Sequence, residues 1–128
     1  MGSPATQYRQ CKTEAGADPV VNVVAAMADP TTDADGVAVV NKEFACVRIE
    51  AGGGAGTFDV KLWRLFTTGQ GESWILDDGF GTVSMNGGAV ATARKFKKVE
   101  VLGAVRLYAQ CVNFAAAGSA TVRINAGG

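Results

Sequence analysis

Carboxylates, lysines and thiols are the side chains here that could do acid-base or nucleophilic chemistry, because the sequence contains no histidine. That absence removes Ser-His-Asp and Cys-His catalysis and the H-E-x-x-H zinc motif. Asp77 and Asp78 form the only adjacent acidic pair, within the sequence Asp-Asp-Gly-Phe-Gly, which is typical of a turn. The paired acids of a glycosidase instead converge from separate elements across a cleft. We therefore predict a turn at this pair, no catalytic residues and no enzyme activity.

Motifs for cofactors and metals are also missing or incomplete. Residues 33–36, Asp-Ala-Asp-Gly, resemble the middle of a calcium-binding loop, but Thr31 stands at its first ligand position and Lys42 where the bidentate glutamate is required. The glycine clusters match neither the phosphate-binding loop nor the dinucleotide-binding motif. We therefore predict no cofactor and no metal, and a turn at residues 33–36.

The cysteines are odd in number and widely spaced. They are Cys11, Cys46 and Cys111. Neither a disulfide framework nor a C-x-x-C metal pair can be built from them alone. Cys46 and Cys111 lie within apolar, strand-like runs, so we predict that both are small core residues rather than reactive thiols.

One dense basic patch, residues 94–98 (Arg-Lys-Phe-Lys-Lys), is a candidate binding surface. An aromatic ring within a basic patch could stack on single-stranded nucleic acid. Strand alternation, however, places Lys95 and Lys97 on the opposite face from Arg94 and so divides the charge. That division favours an edge strand protected by charge, or contact with an acidic protein. We predict Arg94, Lys95 and Lys97 as contacts to a protein partner, and no nucleic-acid partner.

Aromatic residues offer a second candidate surface. Trp63 and Trp74, together with Tyr108 and Phe80, could line a sugar-binding face of the kind found on β-sandwich lectins. Burial in the core is the alternative for both tryptophans. A carbohydrate-binding module, with Trp74 and Tyr108 stacked against sugar rings, is therefore the alternative function.

Short apolar runs separated by glycine-rich turns indicate the elements that must position these residues. Residues 37–50 and 104–114 predict long strands, and residues 89–98 a strand for which a helix is the alternative. A phase shift in the alternation at residues 62–63 predicts a β-bulge, with Arg64 facing outward beyond it. The pattern predicts an all-β fold, an antiparallel β-sandwich or jelly-roll barrel of about seven or eight strands.

The chain length of 128 residues suits a single domain. Residues 1–18 are polar and aperiodic, with Tyr8 as the only sizeable anchor, and predict an extended N-terminal arm. The domain itself is predicted over residues 19–128. No apolar run approaches the roughly 18 residues of a membrane-spanning helix, and the N-terminus lacks a secretory signal. We therefore expect no membrane partner.

Four strand-like segments carry a family resemblance, and they are residues 57–63, 72–77, 105–110 and 120–125. In these segments the chain resembles the small β-sandwich or jelly-roll decoration (cement) proteins of tailed-phage capsids. The resemblance implies a non-enzymatic structural virion protein, made in the host cytoplasm, that stabilises a capsid by bridging neighbouring shell subunits on its surface. It also implies the major capsid protein or other shell subunits as partners, and a homo-oligomer, with a trimer favoured. An N-terminal arm lying on the shell would bring Tyr8 and Arg9 into contact with it.

Overall fold

A computed structural model describes residues 16–32, 35–52, 56–68, 71–115 and 118–127. These residues form nine β-strands and one helical turn. The strands are β1 (Gly16–Val23), β2 (Val37–Ala38), β3 (Phe44–Gly52), β4 (Thr57–Thr68), β5 (Gly71–Leu76), β6 (Val83–Asn86), β7 (Arg94–Glu100), β8 (Arg106–Ala115) and β9 (Ser119–Gly127). The helical turn, α1, is Val90–Ala93 and leads directly into β7. Within the described ranges, no helix has the length and apolarity needed to cross a bilayer.

The strands form two sheets in which every neighbouring pair is antiparallel. The four-stranded sheet has the order β1-β9-β3-β7. The five-stranded sheet has the order β2-β8-β4-β5, and β6 also pairs with β4. The two sheets pack face to face around one apolar cluster, which confirms the predicted all-β antiparallel sandwich.

The strand order shows how the chain is wrapped. β5 and β6 lie along the same edge of β4, so they can be counted as one interrupted strand. The first strand then pairs with the last, the second with the second-last, and the third with the third-last. This nested pairing is the strand topology of a jelly roll, which is one kind of β-sandwich.

The core lies between the sheets and follows the two-residue alternation of the strands. In β3, Ala45, Val47 and Ile49 are fully buried, whereas the residues between them are half-buried or exposed. The inward faces of β4, β8 and β9 complete the cluster with Phe58, Val60, Leu62, Leu107, Ala109, Cys111, Val122 and Ile124. Such burial stabilises the fold by roughly 25 cal/mol per Å² of apolar surface.

The two described cysteines differ in environment. Cys111 is a core residue, as predicted, and burial raises the pKa of its thiol to about 12. Cys46 lies half-buried on the outer face of the four-stranded sheet, because Ala45 and Val47 take the inward positions on β3. The prediction of a core position for Cys46 was therefore wrong. Cys11 lies outside the described residues.

The single strand predicted over residues 37–50 is instead divided into β2 and β3. Asn41 has a φ of 63°, in the left-handed region that asparagine tolerates better than most residues. The backbone N–H of Lys42 donates to the carbonyl of Val39 at 3.1 Å, which closes a turn. The apolar run continues to Val40 and so hides this turn in the sequence.

The bulge predicted at residues 62–63 is absent from the described β4. Its register with β8 runs without a shift from Asp59 to Leu65, so the alternation of Phe58, Val60 and Leu62 continues to Arg64. Arg64 therefore points inward and is only 8% exposed, which corrects its predicted outward position. The register shift lies instead near the start of the strand, between Thr57 and Asp59.

The remaining boundaries also differ from prediction. Residues 89–98 contain both predicted alternatives, because α1 occupies residues 90–93 and β7 begins at Arg94. β1 begins at Gly16, inside the range predicted as the arm. Tyr8 and Arg9, the predicted contacts on the arm, lie outside the described residues.

Candidate protein-binding surface

The basic segment predicted to contact a partner forms an edge of the four-stranded sheet. All seven residues of β7 pair with β3, from Arg94 opposite Glu50 to Glu100 opposite Phe44. In the part of the chain that the structure describes, no strand pairs with the other side of β7. The predicted placement of this segment at a sheet edge is therefore confirmed.

Phe96 is the most exposed large apolar side chain among the described residues, with 71% of its surface accessible. It is the third of the seven residues of β7 and lies directly opposite Arg48 on β3. A ring this exposed contributes little to the core, and aromatic residues are enriched in protein–protein interfaces.

Two grooves meet at Phe96. The first, with a volume of about 290 Å³, lies on the outer face of the four-stranded sheet and includes Cys46, Arg48, Glu50 and Arg94 in its lining. The second, of about 460 Å³, lies toward β6 and is lined by Ile49, Thr82, Val83, Ser84, Lys95, Phe96 and Lys97. The edge strand thus has a recess on each side of the Phe96 ring.

The outer face of the four-stranded sheet carries more positive than negative charge around Phe96. On β3, β7 and β9 the basic residues of this face are Arg48, Arg94, Lys98 and Arg123, and the acidic residues are Glu50 and Glu100. Arg48 and Arg123 lie directly opposite each other on β3 and β9, and like charges at such positions are destabilising unless an anion lies near them. The closest Arg48–Glu50 contact is long, at 3.8 Å from Nη2 to Oε1. We call this outer face, with the β7 edge, the basic face.

Lys95 and Lys97 project from β7 toward the five-stranded sheet. The Nζ of Lys95 donates to the carbonyl of Ser84 at 2.7 Å, and that of Lys97 donates to the carbonyl of Phe80 at 2.6 Å. The Lys97 ammonium also lies 4.7 Å from the centre of the Phe80 ring. Both lysines therefore connect the sheets along this side of the sandwich, while Arg94 is exposed.

Sequence reasoning found β7 but missed the rest of the basic face. Arg48 and Arg123 are far apart in the sequence, and no local pattern links them to residues 94–98. The pairing of β3 with both β7 and β9 brings them together. Such a cross-strand cluster can be recognised only when the strand order is known.

The predicted sugar-stacking residues do come together on the five-stranded sheet. The rings of Trp74 and Tyr108 are 6.0 Å apart between centres, at an interplanar angle of 63°. Trp74 Nε1 donates to the carbonyl of Thr32 at 2.8 Å, and the Tyr108 hydroxyl donates to the carbonyl of Ala28 at 2.8 Å. Burial, followed by the negative charges of Asp35 and Asp29, raises the pKa of Tyr108. Both rings therefore hold a crossing segment, residues 27–32, which we call the covering segment.

Gln110, on β8, also forms hydrogen bonds to the covering segment. Its Oε1 accepts a hydrogen bond of 2.8 Å from Trp63 Nε1. Its Nε2 donates to the carbonyl of Met27 at 3.0 Å and to Asp29 Oδ1 at 2.8 Å. Gln110 is only 4% exposed although it lies on an outward-facing position, because the covering segment shields it.

The acidic pair Asp77–Asp78 lies in a turn, where Asp77 forms hydrogen bonds that support the fold. Asp77 and Asp78 occupy a turn, as predicted, in which Asp77 Oδ1 accepts from the N–H of Phe80 at 3.0 Å. Asp77 Oδ2 accepts from Arg64 Nε at 2.8 Å, and Arg64 Nη1 donates to the carbonyl of Val101 at 2.8 Å. Burial acts to raise the pKa of Asp77, but the hydrogen bonds from Arg64 and Phe80 outweigh it and the pKa is lowered.

Asp35 belongs to the turn predicted at residues 33–36, of which Asp33 and Ala34 lie outside the described residues. Its Oδ2 accepts hydrogen bonds from the backbone N–H groups of Thr31 at 2.9 Å and Thr32 at 3.1 Å, and these bonds lower its pKa. Among the residues described, no three His, Cys, Asp or Glu side chains cluster as metal ligands would.

Comparison with protein-family models, curated proteins and solved structures finds no match to this chain. Its function must be inferred from the chemistry of its own surfaces.

Proposed function

We propose that the protein is a non-enzymatic structural protein that decorates a viral capsid and stabilises it by bridging neighbouring shell subunits. The observation that carries the proposal is the exposed Phe96 ring among the basic residues of an edge strand. A jelly-roll sandwich occurs in viral capsid domains and in lectins, so the fold is compatible with this role without specifying it.

Bridging requires two separate contacts on one molecule. The order of the four-stranded sheet places β1 and β7 at opposite edges, three strand spacings or about 14 Å apart. Residues 1–15 precede β1 and would supply the second contact through Tyr8 and Arg9. A protein attached at both edges would bind neighbouring subunits only where they are correctly assembled.

Such selective binding stabilises the assembled shell by mass action. A ligand at 100 times its dissociation constant stabilises the state that it binds by about 2.7 kcal/mol per site. We propose that the protein itself acts as a homo-oligomer, with a trimer favoured, which would multiply the contacts made by each bound copy.

Shells assembled from the cognate major capsid protein provide the test. Saturating amounts of the protein should raise the temperature at which light scattering reports shell dissociation. Phe96→Ala should lose most of this increase, whereas Leu102→Ala, which truncates a side chain of similar exposure (69%), should retain it. If the unmodified protein at saturating concentration did not bind the shells, the proposal would be wrong.

Size-exclusion chromatography with light scattering tests the oligomeric part of the proposal. A mass of three chains is expected across the micromolar range. A monomer at every concentration would exclude the trimer without excluding attachment of single copies to a shell.

A carbohydrate-binding module is the second candidate, and the close pairing of Trp74 with Tyr108 favours it. The 63° angle between the rings does not make a flat platform, and their polar atoms already bind the covering segment. Binding to a glycan array that disappears in Trp74→Ala would support this candidate over shell decoration.

A further inference from the structure

The free edge of β7 is the starting point, because a strand at a sheet edge leaves one row of backbone N–H and C=O groups without a ladder partner. β7 is seven residues long and pairs only with β3 among the described residues. Such an edge can accept an extended peptide as an additional strand, with backbone hydrogen bonds giving affinity and side-chain recesses giving specificity.

The two sides of β7 offer contacts to both sets of side chains of an added strand. Successive side chains of a strand point to opposite faces of a sheet. One set from an added strand would lie on the outer face beside Phe96, whose other side borders the groove of about 290 Å³ above β3 and β7. The other set would enter the groove of about 460 Å³ between β7 and β6.

The charges of β7 identify the chemistry of the partner. Arg94, Lys95, Lys97 and Lys98 are accompanied by one acid in the strand, Glu100. Within the described residues, none of these four cations forms an ion pair with a carboxylate. Lys95 and Lys97 donate to neutral carbonyls, so their charges are not compensated there. Carboxylates opposite these cations would form favourable cross-strand pairs of opposite charge.

Segments of this same chain are poor occupants. Residues 1–15 carry Arg9 and Lys12 against Glu14 and are therefore cationic. A second copy of β7, paired antiparallel, would place Arg94 opposite Glu100 but would also bring Lys97 opposite Lys97 and join two strongly basic strands. Charge thus favours a different protein.

We infer that β7 binds an extended acidic segment of a partner protein as a fifth strand of the four-stranded sheet, with an apolar partner residue packed on Phe96 and carboxylates flanking it. The inference rests on the proposed function only in taking the partner to be a protein. It adds the mode of binding and the chemistry of the bound segment.

The probe is a capped peptide, Thr-Val-Glu-Glu-Ile-Glu-Glu, whose Glu-Glu-Ile-Glu-Glu core has the same pattern in either strand direction. It is titrated into isotopically labelled protein while the backbone amide NMR signals are followed. The expected result is saturable binding with shifts concentrated at residues 94–100, and affinity that falls with added salt. A peptide with lysine in place of every glutamate should not bind.

Two N-methylated versions of the same peptide separate strand addition from simple charge attraction. Methyl groups on alternate residues block one row of peptide N–H groups and leave the other row intact. One version should therefore lose binding and the other retain it, although their charges are identical. Equal affinity of the two versions would overturn the inference.

Protein variants give the matching control. Phe96→Ala should weaken peptide binding about tenfold, as expected for a central aromatic contact, and Arg94→Glu should weaken it about fivefold. Lys61→Glu makes the same change of charge on the five-stranded sheet and should leave binding unchanged. Tighter binding of oligothymidylate than of the acidic peptide, or a dimer of the unmodified protein that Phe96→Ala dissociates, would also overturn the inference.

The outcomes distinguish the two proposals. Shell stabilisation without peptide binding would remove the strand-addition inference and leave the proposed function. Peptide binding without any shell binding would remove the proposed function and leave the strand-addition inference.

Discussion

The outer faces of the two sheets carry aromatic residues in opposite situations. On the five-stranded sheet, Trp74 and Tyr108 lie under the covering segment and donate hydrogen bonds to its carbonyls. On the four-stranded sheet, Phe96 is 71% exposed and borders two grooves. The first face is covered by the chain itself, whereas no segment among the described residues covers Phe96 on the second.

The difference follows from the chemistry of the rings. Tryptophan and tyrosine carry a donor that can bind a crossing backbone and so fix it on the sheet. Phenylalanine has no such donor, and the lysines on either side of Phe96 point toward the other sheet. An aromatic residue on a strand therefore indicates an open binding face only when nothing in the fold uses its polar atoms.

The largest expected difference is in thiol reactivity, between Cys46 on the outer face of the four-stranded sheet and Cys111 in the core. In a Cys11→Ser background, a maleimide should modify Cys46 at least about 1,000-fold faster than Cys111, because Cys111 becomes accessible only in the rare unfolded state. Its pKa of about 12 further disfavours the reactive thiolate. Site-resolved mass spectrometry measures both rates. Comparable labelling of the two cysteines in the native protein would contradict the described burial.

Asp77→Asn should destabilise the protein by about 3 kcal/mol at neutral pH, because Arg64 would remain buried without its carboxylate. The folded pKa of Asp77 lies below its ordinary value of 3.8, so its contribution is complete above that value. The contribution is then lost as the pH falls through the folded pKa. Urea unfolding from pH 7 to pH 2 should therefore show a weaker acid dependence in the variant.

Asp78→Asn is the matched control for this change, because Asp78 is exposed in the same turn. It should change the free energy of unfolding by no more than about 0.5 kcal/mol. An equal loss in both variants would mean that the turn, rather than the Arg64–Asp77 pair, is responsible.

Gln110→Ala should lower the free energy of unfolding by about 2 kcal/mol, because it leaves the Trp63 indole N–H and the Met27 carbonyl without their partner. Urea unfolding of the variant and the unmodified protein measures this loss.

Tyr108→Phe removes one hydrogen bond to the covering segment and should lower the free energy of unfolding by about 1 kcal/mol. Hydrogen exchange should then accelerate at the Met27 amide, which donates to the carbonyl of Cys111. Unchanged exchange there would show that these side chains do not hold the segment.

Phe96→Ala should change the free energy of unfolding least, by less than about 0.5 kcal/mol, since an exposed surface residue contributes little packing. Chemical denaturation measures this value beside that of Tyr108→Phe. A loss above about 1 kcal/mol would show that the ring supports the fold, and the contrast between the two faces would fail.

The local chemistry of the sequence predicted several features correctly. Glycine-bounded runs with two-residue alternation gave the all-β sandwich, and the acidic pair was assigned to a turn. The basic segment was placed at an edge because its charges alternate between faces. Arg64 was misassigned, since a charged residue on a strand is expected to face water unless a partner is known. That partner, Asp77, comes from a different strand end and is invisible to a local pattern.

The sequence by itself determined the all-β class and the absence of histidine chemistry, because periodicity and composition are local properties. Only the tertiary structure decided which faces are open, since this depends on strand order and on where the connections run. It brought Arg48 and Arg123 together beside Phe96 through the pairing of β3 with β7 and β9. It also placed residues 27–32 over Gln110 and Tyr108, where hydrogen bonds between residues about 80 positions apart close the other face.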